Sequence, residues 1–152
     1  MRPLKCLVAG LGNPLQRSDG FGRAVLERLR SEDQLPGATE LVDASTDLLS
    51  LFDRFASFDL VVLVDTVLGR GSREVRIIPE EAFGSWAPHA TSAHETSPLV
   101  AIQLFRTLDH GCMTRVVLIG LNVEENEFDA ELTPADAQAG AEAVLRVIST
   151  VL

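Results

Sequence analysis

Leu60-Val61-Val62-Leu63-Val64-Asp65 sets five aliphatic residues in a row and closes them with an acid. A strand wetted on one side alternates apolar and polar residues. An unbroken β-branched and aliphatic run instead predicts a strand covered on both faces, the centre of a parallel sheet. Outward from there, residues 4–9 form a second apolar run. It is closed by Gly10-Leu11-Gly12-Asn13-Pro14, a loop that calls for unusual backbone angles. Phe21, Val25, Leu26 and Leu29 then share a helical stripe, with Arg23, Glu27, Arg28 and Arg30 mostly opposite. Residues 40–43 read as a short second strand, and Thr46 as the cap of a helix over 46–55. After the Gly69 and Gly71 turn, residues 74–78 read as an edge strand, followed by an irregular stretch over 79–96. Ser97-Pro98 starts a helix to about residue 108, residues 115–120 form a fifth strand, and Thr133-Pro134-Ala135-Asp136 opens a last helix. Strands alternating with helices predict an α/β fold: a three-layer sandwich with a mainly parallel, twisted five-stranded sheet flanked by helices. The pattern leaves strand order open.

The 152 residues are expected to form a single domain, 1–152, and 46% hydrophobic residues fill one core without staples. The net charge of -9, with no basic stripe, speaks against a nucleic-acid partner. Cys6 and Cys112 make neither a zinc knuckle nor a disulfide framework and fit a reducing compartment. Gly10, Gly12, Asn13 and Pro14 interrupt the first apolar stretch before a signal-peptide core forms, and no run approaches a membrane span. A soluble cytoplasmic protein without membrane insertion is expected.

Ligands of open α/β sheets gather beyond the carboxyl ends of the strands. Following the chain past each predicted strand gives Asp19, Asp43, Asp65 and His94 in turn. Two carboxylates and an imidazole suit a divalent ion of borderline softness, zinc or nickel, and leave coordination positions open. Each residue also has a plainer role. Asp19 before Gly20 fits a helix cap, Asp65 fits a turn acceptor, and His94 fits a solvated loop in which His89 competes with it. Other chemistries fail on residue type. Leu15 stands where the third glycine of GxGxxG belongs, there is no Gly-Lys-Ser or Gly-Lys-Thr phosphate loop, and no GxSxG elbow.

Gly10-Leu11-Gly12-Asn13-Pro14-Leu15-Gln16-Arg17-Ser18-Asp19-Gly20-Phe21-Gly22 follows a GxGNxLxxDxGxG pattern. Asp43-Ala44-Ser45-Thr46 matches a DGGT element, Val62-Leu63-Val64-Asp65-Thr66 a strand ending in an acid, Ser92-Ala93-His94-Glu95-Thr96-Ser97-Pro98-Leu99 an SxHxxxL element, and Leu132-Thr133-Pro134 a late LSP. Together they resemble the hydrogenase maturation endopeptidases, which trim the C-terminus of the large subunit of nickel-iron hydrogenases. The resemblance implies that Asp19, Asp65 and His94 contact the metal and form the catalytic cleft, with Asp43, Gly12 and Asn13 binding substrate. It implies that the nickel arrives with the large-subunit precursor, another divalent ion such as zinc or cadmium taking the site in isolation. Either a carboxylate or a metal-bound water then delivers the nucleophile. A nickel-binding or precursor-holding chaperone would use the same cluster without hydrolysis. The Gly-Leu-Gly-Asn-Pro opening also resembles bacterial peptidyl-tRNA hydrolases, but Gln16-Arg17-Ser18-Asp19 replaces their basic-histidine element. Ser18, Ala44-Ser45 and Asn122-Val123-Glu124 depart from the endopeptidase pattern without removing a proposed ligand.

Overall fold

The computed structural model describes residues 2–12, 20–32, 35–45, 47–86, 98–124 and 130–151. Five strands, β1 (Lys5–Leu11), β2 (Ala38–Ser45), β3 (Leu60–Leu68), β4 (Glu74–Pro79) and β5 (Arg115–Val123), form one sheet in the order β2-β1-β3-β5-β4. All neighbours are parallel except β4, which runs antiparallel to β5 at the edge. The helices are α1 (Phe21–Arg30), α2 (Phe52–Phe55), α3 (Phe83–Trp86), α4 (Pro98–Leu108) and α5 (Pro134–Val151).

Alternation along the strands divides the apolar residues into two cores, which makes the three layers. Cys6 and Val8 of β1, Leu60, Val62 and Val64 of β3, and Ile119 and Leu121 of β5 face α1 and α5. Leu7 and Ala9, Val61 and Leu63, and Val116 and Leu118 face the side of α2, α3 and α4. β1 and β3 are buried from both sides, as an unbroken aliphatic strand requires. Burial pushes the Cys6 thiol up to about 12, so it stays a protonated packing group. α5 opens on a reciprocal cap: Thr133 Oγ1 accepts from the Asp136 N–H at 3.2 Å, and Asp136 Oδ2 accepts from the Thr133 N–H at 2.9 Å. Arg73 ties the same carboxylate to the β3–β4 turn at 2.9 Å.

The sequence reading needs correction at four places. The helix expected over 46–55 is a 3-10 turn, Leu49–Leu51, running into the single turn of α2. Leu48, Leu51 and Phe55 are buried all the same, and Phe52 and Phe55 pack rings with Phe105 of α4. Thr46, the expected cap, lies outside the described residues; Asp47 Oδ1 accepts from the Ser50 N–H at 3.2 Å. The stretch over 79–96 holds a 3-10 turn and α3 before residues 87–97, which are outside the described residues. β3 and β5 each run three residues past their expected ends. Among the described residues no helix is long and apolar enough to cross a membrane.

Candidate active site

From β1 the chain crosses by α1 to β2 on one side, then returns to lay β3 on the other side of β1. The carboxyl ends of β1 and β3 therefore flank the point where winding reverses, where an open α/β sheet has a ready-made crevice. Here the crevice is also a step. β1 pairs with β3 only as far as Gly10 opposite Val64, whereas β3 and β5 continue together to Leu68 opposite Val123. The first residue of β3 above the step is Asp65.

Asp65 therefore sits inside β3, opposite Gly120 of β5, not at the strand's end. It is 9% exposed and lies on the same face as Leu63 and Val67, with Oδ1 accepting from the Thr66 N–H at 2.8 Å. A carboxylate this buried at a sheet step is what a charged or metal-bearing ligand would meet on entering.

Two glycines of the opening motif account for how close α1 comes. A Cβ on Gly22 would lie 2.4 Å from Leu11 O, 2.6 Å from Leu11 N and 2.7 Å from Val64 O. One on Gly10 would lie 2.7 Å from Leu26 Cδ1 and 2.8 Å from Gly22 O. The first turn of α1 is thus seated on the backbone of β1 and β3 beside Asp65. Asp19 immediately precedes Gly20, the N-cap of α1; Asp19 and Asn13 lie outside the described residues.

Asp43 is on the other face. Leu41 packs into the α1-side core while Val42 and Ala44 pack into the α4-side core, so Asp43 projects toward α1. Arg23 Nε donates to its Oδ2 at 3.1 Å, and the Ser45 N–H and hydroxyl donate to its Oδ1 at 3.0 and 3.2 Å. Partial burial pushes this carboxyl up, but the Arg23 and Ser45 hydrogen bonds and the Arg23 charge together hold it below the usual carboxylate range. Ser45 has φ of 50°, the left-handed region that non-glycine residues avoid. Its carbonyl accepts from the Gly12 N–H at 2.7 Å, Gly12 itself having φ of 114°. Arg23 and Ser45 are part of this rim, and nothing in the residue pattern singled them out.

The route to His94 differs from expectation. Because β4 is antiparallel, its carboxyl end lies at the opposite edge of the sheet, so "after the fourth strand" is the wrong rim. α4 supplies the return. Arg106 near its C-terminus donates to Glu80 at 2.8 and 2.9 Å, to Cys112 O at 2.7 Å and to Thr114 O, which pins that end beside the start of β5. From Arg106 back to Pro98 the helix rises roughly 12 Å. Laid along β5 from Thr114, that rise would reach about the level of Leu118, two residues short of the level at which Asp65 pairs with Gly120. His94 lies four residues earlier in the chain, outside the described residues. Among the described residues no three His, Cys, Asp or Glu side chains converge on a metal position; of the expected ligands only Asp65 is described.

Asn122 is a further polar residue the sequence did not mark. It is fully buried on the face of Asp65 and donates from Nδ2 to Ser72 O at 3.0 Å and Arg70 O at 3.3 Å, which ties the β3–β4 turn to β5.

Residues 24–150 match the family profile HycI, hydrogenase maturation protease. This chain belongs to the hydrogenase maturation protease family. The match begins after Gly22, so the glycine motif and the profile cover separate stretches of this hydrogenase maturation protease. Among relatives, the hydrogenase expression/formation protein HupD of Rhodobacter capsulatus is 27% identical over 140 residues, 90% of this chain and 66% of that protein. HupD of Thiocapsa roseopersicina is 29% identical over 132 residues, 84% of this chain and 59% of that protein. The chain thus spans just under two thirds of the length of these curated relatives, or less. Among solved structures, the hydrogenase maturating endopeptidase HybD of E. coli superposes with a TM-score of 0.78 at 24% identity, covering 99% of this chain and 94% of that one. The [NiFe] hydrogenase maturation protease HycI of Thermococcus kodakarensis KOD1 does so with a TM-score of 0.68 at 21% identity, over 97% and 92%. These likenesses carry the fold of the maturation protease: a mostly parallel five-stranded sheet between helices.

Proposed function

We propose that this maturation protease is a cytoplasmic endopeptidase that removes the C-terminal extension of a nickel-iron hydrogenase large-subunit precursor after nickel insertion. It recognises the nickel carried by that substrate through Asp19, Asp65 and His94. The observation that carries the reading is Asp65, a buried carboxylate at the step between β1 and β3, where winding reverses. Two further supports are the seat of α1, which starts one residue after Gly20, and the rise of α4, which starts four residues after His94. Gly20 follows Asp19 directly and Pro98 follows His94 by four residues, so each expected ligand precedes the start of one of these helices in the chain.

In this reading the nickel is substrate. Two carboxylates and an imidazole engage it through open coordination positions, and that contact sets the scissile peptide beside the same carboxylates. The ion polarises the peptide carbonyl while a carboxylate assists the attacking water, so that recognition and cleavage are coupled. Gly12, Asn13 and Asp43 hold the tail at the other lip.

The test is incubation with the nickel-loaded large-subunit precursor from the same organism and with its nickel-free form, read by intact mass. Loss of the tail from the loaded form alone is expected. Loss from both would remove the nickel-reading role. Tight binding of the loaded form with no loss would make the protein a precursor-holding chaperone.

A further inference from the structure

The stretch 13–19, which carries Asp19, leaves β1 after Gly12 and joins α1 at Gly20. One carboxylate reaches both of its ends. Through Oδ1, Asp43 holds the Ser45 N–H and hydroxyl at 3.0 and 3.2 Å, and Ser45 O in turn receives the Gly12 N–H at 2.7 Å. Through Oδ2, it receives Arg23 Nε at 3.1 Å from the first turn of α1. Ser45 adopts its left-handed conformation, φ 50°, inside this brace.

We propose that Arg23 and Asp43 are positioning residues, a brace that fixes the separation of Gly12 and the first turn of α1, the two ends between which the chain carries Asp19. The inference rests on the endopeptidase reading for its catalytic consequence, and on the hydrogen bonds alone for the brace. It gives Asp43 a task that contact with the substrate does not require. The brace needs the carboxylate to accept on both oxygens at once, so the amide of Asn is the sharpest probe. Asp43→Asn can keep Oδ1 toward Ser45 but turns an N–H toward the Arg23 donor. Arg23→Gln removes the charge from the other side without touching a residue assigned to substrate.

The Arg23 side chain is half-exposed, so breaking the pair should leave the fold intact. Misplacing one carboxylate of a catalytic cluster by a fraction of an ångström to an ångström should lower kcat roughly ten- to hundred-fold with KM little changed. Two readouts decide it in the full chain. The first is hydrogen exchange of the Gly12 amide, which needs no activity. Arg23→Gln and Asp43→Asn should each speed it at least about threefold while the amides of Val62 and Val64 keep their protection; an unchanged Gly12 amide overturns the brace. The second is steady-state trimming of the nickel-loaded precursor. Arg23→Gln should lower kcat at constant KM, and Arg23→Lys, which keeps the charge, should recover part of it. A rise in KM at constant kcat would make the pair a substrate-binding element and overturn the positioning role. Variants that show the exchange effect beside a wild-type protein that trims nothing would retain the brace, remove its catalytic consequence and refute the endopeptidase reading.

Discussion

Gly22→Ala tests the packing on which the site depends, because two physical effects of that change have opposite sign. Gly22 is the second residue of α1, and alanine favours a helix over glycine by about 1 kcal/mol. Against this, the new Cβ meets Leu11 O at 2.4 Å, Leu11 N at 2.6 Å and Val64 O at 2.7 Å. All three are backbone atoms of paired strands, so no rotamer change relieves them. Restoring ordinary contact, about 3.4 Å, requires α1 to withdraw by roughly 1 Å, which loosens Phe21, Val25 and Leu26 in the α1-side core. Overpacking typically costs about 1–3 kcal/mol, and rigid neighbours put this site at or above the top of that range. The net expectation is a loss of roughly 2–3 kcal/mol, a fall in Tm of about 5–10 °C for a chain of this size. Urea unfolding followed by circular dichroism measures it. Gly20→Ala serves as the control, since among the described residues its Cβ would meet only Leu132 Cδ1 at 3.6 Å. A Gly22→Ala variant as stable as wild type, or stabilised by the helix-propensity gain, would refute the account of how α1 is seated.

Other consequences can be measured independently. Arg106 joins α4 to Glu80 and to the Cys112 and Thr114 carbonyls, and both members of the ion pair are about three-quarters buried. Arg106→Met should therefore cost about 2 kcal/mol, with a double-mutant cycle against Glu80→Gln showing strong coupling. Asp59 accepts two hydrogen bonds from Arg2 and one from the Lys5 N–H, which lower its carboxyl from 3.8 to about 2. A carboxyl depressed on folding stabilises the protein above its unfolded pKa, and the contribution fades as pH falls through the folded value. Between about pH 4 and pH 2 Asp59→Asn should accordingly flatten part of the acid-induced loss of stability seen in urea titrations; an unchanged slope would contradict the network. His94→Ala should abolish precursor trimming while leaving the thermal unfolding of the sheet unchanged, and normal trimming by that variant would remove His94 from the site.

How much of this was legible in the residues depended on which forces act locally. The aliphatic run of β3 announced a doubly covered parallel strand because burial on both faces leaves no room for alternation. Its end is hidden in the sequence because Asp65 looks like a stop, whereas the strand runs to Leu68. Thr66, Val67 and Leu68 continue the strand through pairing with β5 alone, a tertiary fact that no local pattern encodes. Gly120 misled in the same way for β5. A Cβ there would lie 3.0 Å from Val67 Cγ2, so the glycine serves a close contact, not a turn. The helix over 46–55 had the apolar residues it needed, but α2 ends after one turn because the chain must enter β3 at Leu60.

Reading the site from strand ends puts Asp65 beside the step where the sheet has it, but the same rule does not reach His94, which lies outside the described residues, since the direction of β4 is set by its partner β5. Strand-end position groups Asp43 with Asp65 on one rim. Counting alternate residues from Leu41 and Leu63 puts the two side chains on opposite faces, which follows only once the packing of each face is known. Ser45 illustrates the remainder. A serine where the related pattern has glycine carries no warning of a positive φ, and only the Asp43 hydrogen bonds show what it sits among.

The central claim is that Asp65 belongs to a cleft that reads nickel in the precursor and cuts beside it. The most direct measurement compares wild type with Asp65→Asn on the nickel-loaded large-subunit precursor, following the precursor's intact mass over time. Asparagine retains an oxygen for the Thr66 N–H, so the fold should survive while the negative charge is lost. The account predicts complete tail removal by wild type and none by a folded Asp65→Asn protein. Tail removal by Asp65→Asn at the wild-type rate would contradict it.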